Sequence, residues 1–348
     1  MDQPPTITFL TETGRGIGSG HLTRCLALAA GFEQKGFFCR LLVNGPCKKL
    51  AEGIPRGISL VSSSWFGAEH RPATIALLEQ SGAVVFDSYL VSPSELLALS
   101  LHCHLPVYFD DHMLERYERG IVINSSVHAG SGQYCPHPEL QYLLGPAYAP
   151  LRGPFWNRKP KVVPTNVHTV LVCFGGADGK GMTRRVLPSL AKEFPEIEFQ
   201  VVLGSFSTDQ RLADEIRLPN LKFHSSCTAQ QMAHMMQGAD LAVCSGGQIL
   251  FELLCFGLPF VAVLTADNQF NHMQGFEKEG LIAKIIRHDE PDGVQQVMGR
   301  FAALLEFKER KNFHRRALQL IDGRGVQRIV DQVCRRMAGQ TLWQNKTH

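Results

Sequence analysis

The chain has no apolar run near the roughly twenty residues needed to cross a bilayer. Its opening, Met1-Asp2-Gln3-Pro4-Pro5, has no basic segment leading into an apolar one. These absences predict a cytoplasmic protein without integral membrane contact. No Cys-x-x-Cys pair occurs among its 10 cysteines, which argues against a zinc ribbon or a disulfide framework and leaves reduced core thiols. His102, His104, His112, His128 and His137 cluster in sequence but lack the i, i+4 helical spacing of a zinc motif. Neither a metal nor a cofactor is expected. A formal charge of +3, with basic residues dispersed until the last forty positions, is too mild to imply nucleic acid. A small molecule carrying a diphosphate suits that balance as well.

At 348 residues and 44% hydrophobic content, the chain has enough apolar material for two cores and is long for one. Strands and helices alternate along its length, which implies mostly parallel sheets. Apolar runs at 7–10, 39–43, 58–61, 83–86, 106–109 and 121–123 read as strands. The helix that opens near Gly20 carries Leu22, Cys25, Leu26, Leu28, Ala29 and Phe32 on one face, and others are expected over 73–80 and 93–101. A Pro-, Lys- and Asn-rich span at 153–166 breaks the periodicity and reads as a linker. Domains at 1–152 and 167–330 follow. In the second, strands are expected at 169–174, 199–203, 221–224, 240–244, 260–264 and 282–286. Helices are expected over 183–194 and 229–237, from Ile249, and through a helical tail at 292–337 broken near Gly323.

Polar residues gather at strand ends. Asp87-Ser88-Tyr89, Asp110-Asp111-His112 and Asn124-Ser125-Ser126 each follow a strand, on the edge where open α/β sheets bind ligands. Asp110 and Asp111 do not read as a glycosidase pair, because neighbours on a strand point to opposite faces. Gly175-Gly176 and Ser245-Gly246-Gly247 follow strands and open helices. Glycine permits a sharp turn and close ligand approach, and the free amides of a new helix suit an anion. Glu252 falls in the first turn of the second of these helices, where it complements the dipole with or without a ligand. Asp267-Asn268-Gln269 and Asn271 follow the next strand.

The first loop resembles a Rossmann start, but Gly16, Gly18 and Gly20 alternate without a strict G-x-G-x-x-G and His21 follows Gly20. The string Gly18-Ser19-Gly20-His21-Leu22-Thr23-Arg24 instead resembles a marker of the UDP-2,4-diacetamido-2,4,6-trideoxy-β-L-altropyranose hydrolase family of pseudaminic acid biosynthesis. Leu144-Gly145-Pro146-Ala147-Tyr148 through Leu151-Arg152 is similar to another of its motifs. Ser245-x-Gly247, the helical Glu252 and Ala266-Asp267-Asn268-Gln269-x-x-Asn271 in this chain resemble the C-terminal half of GT-B nucleotide-sugar enzymes, among them the undecaprenyl-pyrophosphoryl-muramoyl-pentapeptide N-acetylglucosaminyltransferase.

The resemblance spans nearly the whole chain and implies an α/β protein of GT-B type: two doubly wound Rossmann-like domains with a cleft, and a tail at 331–348 that returns to the first. It implies a nucleotide-sugar ligand and a hydrolase releasing free sugar and UDP, with His21 as general base. An imidazole at the positive end of a helix is favoured in the neutral form that a base requires. Gly18, Gly20, Arg24, Asp87, Tyr89, Asp267, Asn268, Gln269 and Asn271 are expected at the sugar. Gly175, Gly176, Ser245, Gly246, Gly247 and Glu252 are expected at the nucleotide, with Glu252 on the ribose. A monomer or weak dimer is expected. A glycosyltransferase, with His21 deprotonating an acceptor hydroxyl, and a non-catalytic binding module are the alternatives. The chain also departs from the family: Glu12 and Gly14 stand where it has Asp and Ser, Gln248-Ile249 replace a hydroxyl pair, Gly179 and Gly181 replace Pro and Asn, and Asn124-Ser125-Ser126 is atypical.

Overall fold

The structure is a computed structural model. It describes residues 5–14, 17–47, 54–113, 117–130, 132, 134–159, 161–204, 207, 211–225 and 227–344. Gly16 of the first loop lies outside the described residues, as do positions 345–348 of the expected tail. The chain forms two compact units, residues 1–152 with 324–348, and residues 153–323.

The first unit holds β1 (Thr6–Glu12), α1 (Gly20–Gln34), β2 (Phe38–Asn44), β3 (Ile58–Ser62), α2 (Arg71–Leu78), β4 (Ala83–Asp87), α3 (Pro93–Ser100), β5 (Pro106–Phe109), β6 (Gly120–Asn124) and β7 (Leu140–Leu144). Its seven strands lie in the order β3-β2-β1-β4-β5-β6-β7, and every pairing is parallel. Both faces of such a sheet are covered, so its central strands are apolar throughout rather than alternating, as Ala83–Phe86 are. Strand order reverses between β1 and β4, where Leu10 pairs with Leu42 on one side and Phe86 on the other. The carboxyl ends of those two strands therefore flank a topological switch point.

The second unit holds β8 (Thr169–Cys173), α4 (Met182–Glu193), β9 (Glu198–Leu203), α5 (Leu212–Glu215), β10 (Leu221–Ser225), α6 (Ala229–Gly238), β11 (Leu241–Ser245), α7 (Ile249–Phe256), β12 (Phe260–Leu264), α8 (Phe270–Lys278), β13 (Ile286–Arg287), α9 (Gly293–Leu304) and α10 (Phe307–Leu320). Its parallel sheet runs β10-β9-β8-β11-β12-β13, with the switch between β8 and β11. The last helix, α11 (Gly325–Gln344), belongs to the first unit. It packs on α1 at Gly31, where a Cβ would stand 2.4 Å from Val326 Cγ1.

Three elements differ from the sequence reading. Leu140–Leu144, read only as part of a motif, is the edge strand β7. The strand expected at 282–286 is reduced to Ile286–Arg287, because the amides of Leu281 and Ile282 bond back to the Phe276 carbonyl and close α8. The span read as a linker is tied into the second unit: buried Arg310 donates to the carbonyls of Pro164 (2.9 Å) and Thr165 (2.7 Å). Seven of the ten cysteines are buried and none of the ten is in a disulfide. Among the described residues, no helix is long and apolar enough to cross a membrane.

Candidate functional site

In the first unit the turn after β1 is closed locally. Gly18 donates to the Gly14 carbonyl at 2.7 Å and the Thr13 hydroxyl donates to the Gly18 carbonyl at 2.9 Å. Gly18 adopts a φ of 81°, a conformation that costs glycine little. This turn delivers His21 and Arg24 from the first turns of α1 to the end of β4. His21 Nδ1 lies 2.5 Å from Asp87 Oδ1. Arg24 grips the same carboxylate twice, Nε to Oδ2 at 2.6 Å and Nη2 to Oδ1 at 2.5 Å, and its Nη1 donates to Asp111 Oδ2 at 2.7 Å. The Arg24 guanidinium also lies 4.5 Å from the Phe109 ring centroid. Tyr89 donates its hydroxyl to Asp111 at 2.5 Å and meets His21 edge-on, ring centroids 4.2 Å apart.

His21, Arg24 and Asp87 are 5%, 6% and 1% exposed, so these charges interact in a weakly screening environment. Burial works against the charge on Asp87, but Arg24 and His21 outweigh it and hold the carboxyl well below the usual range. The Tyr89 hydroxyl is pushed far up by burial and by Asp111, so it serves as a donor. With an ionised carboxylate on Nδ1, that nitrogen carries the proton and Nε2 remains the basic atom. The sequence reading placed Arg24 and Asp87 on the sugar. In the structure their polar atoms are engaged with each other, His21 and Asp111.

Two participants are not among the site residues named from the sequence. Asp111 anchors both Arg24 and Tyr89, while Asp110, its neighbour in the turn after β5, lies 3.2 Å from the Tyr134 hydroxyl. Glu12, noted only as a departure, accepts from the Ser88 hydroxyl and from the Tyr89 amide at 2.7 Å. It fixes the turn after β4 and thereby the ring beside His21. Its place at the end of β1, adjacent to β4, was the available signal.

In the second unit two glycine turns meet. A Cβ on Gly175 would stand 3.6 Å from Ser245 Oγ, which brings the turns after β8 and β11 together. Gly204 at the end of β9 closes on them, since a Cβ there would come within 2.3 Å of the Gly175 and Gly176 carbonyls. The Gly246 amide, expected to face a pyrophosphate, donates instead to the Val263 carbonyl at 2.9 Å, which leaves Gly247 as the nearer candidate. Gln269 accepts from the Thr265 amide at 2.9 Å, so it shapes the turn after β12. Asn268 Oδ1 is buried without a hydrogen-bond partner, which suits a ligand donor. Asp267 is exposed, Asn271 half-buried and Glu252 buried. Gly181, another departure, precedes α4 with a φ of 62°, and Asp178 caps that helix through the amides of Met182 and Thr183.

Residues 169–317 match the Glycosyltransferase family 28 C-terminal domain. The chain is 24% identical over 191 residues to the spore coat polysaccharide biosynthesis protein SpsG of Bacillus subtilis strain 168, a match covering 54% of each. It thus spans about half the length of that relative. It is 21% identical over 284 residues to the UDP-2,4-diacetamido-2,4,6-trideoxy-beta-L-altropyranose hydrolase of Campylobacter jejuni, covering 79% of this chain and 97% of that one. Among solved structures, MurG of Acinetobacter baumannii superposes with a TM-score of 0.62 at 17% identity, over 95% of this chain and all of that one. The protein therefore has the GT-B fold, matches the family 28 glycosyltransferase C-terminal domain over residues 169–317, and resembles the diacetamido-trideoxy-altropyranose hydrolase over most of its length.

Proposed function

We propose that the protein is a nucleotide-sugar hydrolase, releasing free sugar and UDP from a UDP-linked acetamido-deoxy sugar in surface-glycan biosynthesis. The 2.5 Å contact between His21 Nδ1 and Asp87 carries this reading. It orients the ring, leaves Nε2 as the base, and provides a negative partner for the imidazolium formed when a water proton is taken. As the water oxygen bonds to the anomeric carbon, the bond from that carbon to the phosphate oxygen breaks and its electron pair leaves with UDP. Gly247, Ser245 and Glu252 of the second unit hold the nucleotide, and Asn268 and Asn271 face the sugar. The resemblance to the Campylobacter hydrolase supports water as the acceptor. The family 28 match supports a second reading, in which His21 deprotonates an acceptor hydroxyl.

The test is to incubate the protein with a panel of nucleotide sugars, with and without acceptors, and follow nucleotide release by mass spectrometry. Release without acceptor is expected. Release only with acceptor makes the protein a transferase, and binding without release makes it a binding module.

A further inference from the structure

Beside the His21 cluster, within the first unit, lies a cavity of about 260 Å³ that the proposed chemistry does not use. Its wall is mainly apolar, with Leu96 and Leu97 of α3, Val91 just before that helix, Tyr108 of β5 and Tyr117 ahead of β6. Tyr89 and Asp111 also line it, along with His112. Tyr89 stands between two imidazoles, its ring centroid 4.2 Å from that of His21 and 4.6 Å from that of His112. A group in the cavity is therefore one aromatic ring away from the base.

We propose that this cavity receives an N-acyl chain longer than acetyl, carried by the sugar whose glycosyl bond is cleaved. The inference rests on the hydrolase reading: with water as the acceptor, the sugar is the molecule left to supply an apolar group beside Tyr89. Size argues for more than a methyl or an acetyl group. A dry apolar cavity of roughly 150 Å³ is enough for benzene, so about 260 Å³ accommodates a chain of some four to six carbons. Lining argues for hydrocarbon rather than further hydroxyls, because Val91, Leu96 and Leu97 offer no hydrogen bonds to replace those a hydroxyl would lose. At the mouth, exposed His112 supplies a ring N–H for the amide carbonyl.

The experiment uses UDP-linked 2-amino sugars identical except for an acetyl, butanoyl or hexanoyl group on nitrogen, with binding read by calorimetry and UDP release by mass spectrometry. Each buried methylene should tighten binding about fourfold, so butanoyl, with two more than acetyl, should bind more than about tenfold tighter, and hexanoyl, with four more, more than about a hundredfold tighter. Leu97→Trp and, separately, Val91→Phe should bring the hexanoyl-to-acetyl ratio down to near one, with circular dichroism confirming that each variant is folded. A flat or falling affinity series in the parent overturns the proposal even if neither variant folds. So does a gradient that survives both substitutions. Turnover raised by free apolar alcohols that compete with the acyl chain also overturns it, assigning the cavity to an acceptor. Failure of the hydrolase reading looks different: none of the conjugates releases UDP, while the binding series still decides what the cavity holds.

Discussion

The two units build the same strand-turn-helix device and fill it differently. After β1, the turn opens onto ionisable side chains: an imidazole and a guanidinium from α1 locked on the carboxylate that ends β4. After β11, on the other side of the second unit's switch point, the turn opens onto glycine, serine and an amide-bearing loop, and its buried carboxylate, Glu252, lies within α7. Parallel topology places both turns at switch points, where a ligand is expected whatever its chemistry. What differs is whether side chains or backbone line the opening. Hydrogen-bonded side chains of matched charge can move a proton; a glycine pair beside a helix start can hold a diphosphate but has no group to act as a base.

Changing the base should separate the two turns most sharply. His21→Asn keeps a donor and nearly the same size, so turnover should fall about 10²- to 10⁴-fold while UDP affinity, measured by calorimetry, stays within twofold to threefold. Near-parental turnover would reduce His21 to a helix-start residue. Asp87→Asn should fall in a similar range, since an amide in place of the carboxylate upsets the tautomer and removes the imidazolium's partner. That variant also leaves buried Arg24 with only Asp111, so denaturant unfolding must accompany the kinetics.

The second unit should answer in binding rather than rate. Glu252→Ala is expected to weaken UDP by about 1.5 to 3 kcal/mol, the loss of a charged hydrogen bond, and unchanged affinity would remove Glu252 from the ribose. Gly246→Ala should weaken UDP less: its Cβ would lie against Met273 Sδ, and either that buried side chain or the turn must shift to relieve it. Overpacking of this kind costs about 1 to 3 kcal/mol of stability. Pairing it with Met273→Ala should restore much of the loss, and a double-mutant cycle on thermal unfolding would measure how much.

Much of this contrast was legible in the sequence, because it depends on local signals. Apolar runs of strand length fixed the parallel sheets, and glycines after β8 and β11 marked the turns. The partners of His21 were harder to read. Asp87 is 66 positions from His21 and Asp111 is 87 from Arg24, and only strand order brings them together. Sequence placed all these residues on the ligand-facing edge, yet could not divide those that touch a ligand from those that hold one another. Glu12 shows the limit well: it looks like a changed ligand contact until the Tyr89 amide is found on its carboxylate. At Gly246 the difficulty is the reverse. A glycine after a strand suggests a free amide, but the pairing of β11 with β12 runs on into the Val263 carbonyl.

The smallest expected effect is a pH dependence confined to the first unit. Asp87 is held ionised in the folded state well below the range of an unfolded aspartate, which lies near about 3.9. A depressed folded-state value means that the unfolded chain binds more protons in the interval between the two, so stability rises with pH there. The contribution of Asp87 is complete above about pH 4 and is lost as pH falls below that value towards the depressed one. Trp65 is buried in the first unit, its indole N–H donating to the Thr11 carbonyl at 2.9 Å, and Trp156 lies in the second. With Trp156→Phe as background, tryptophan fluorescence reports the first unit, and urea midpoints between pH 5 and pH 2 should fall more steeply than in the same protein carrying Asp87→Asn. Because Asp87→Asn cannot titrate, parallel slopes in the two proteins would show that the buried carboxylate is not what ties this unit's stability to pH.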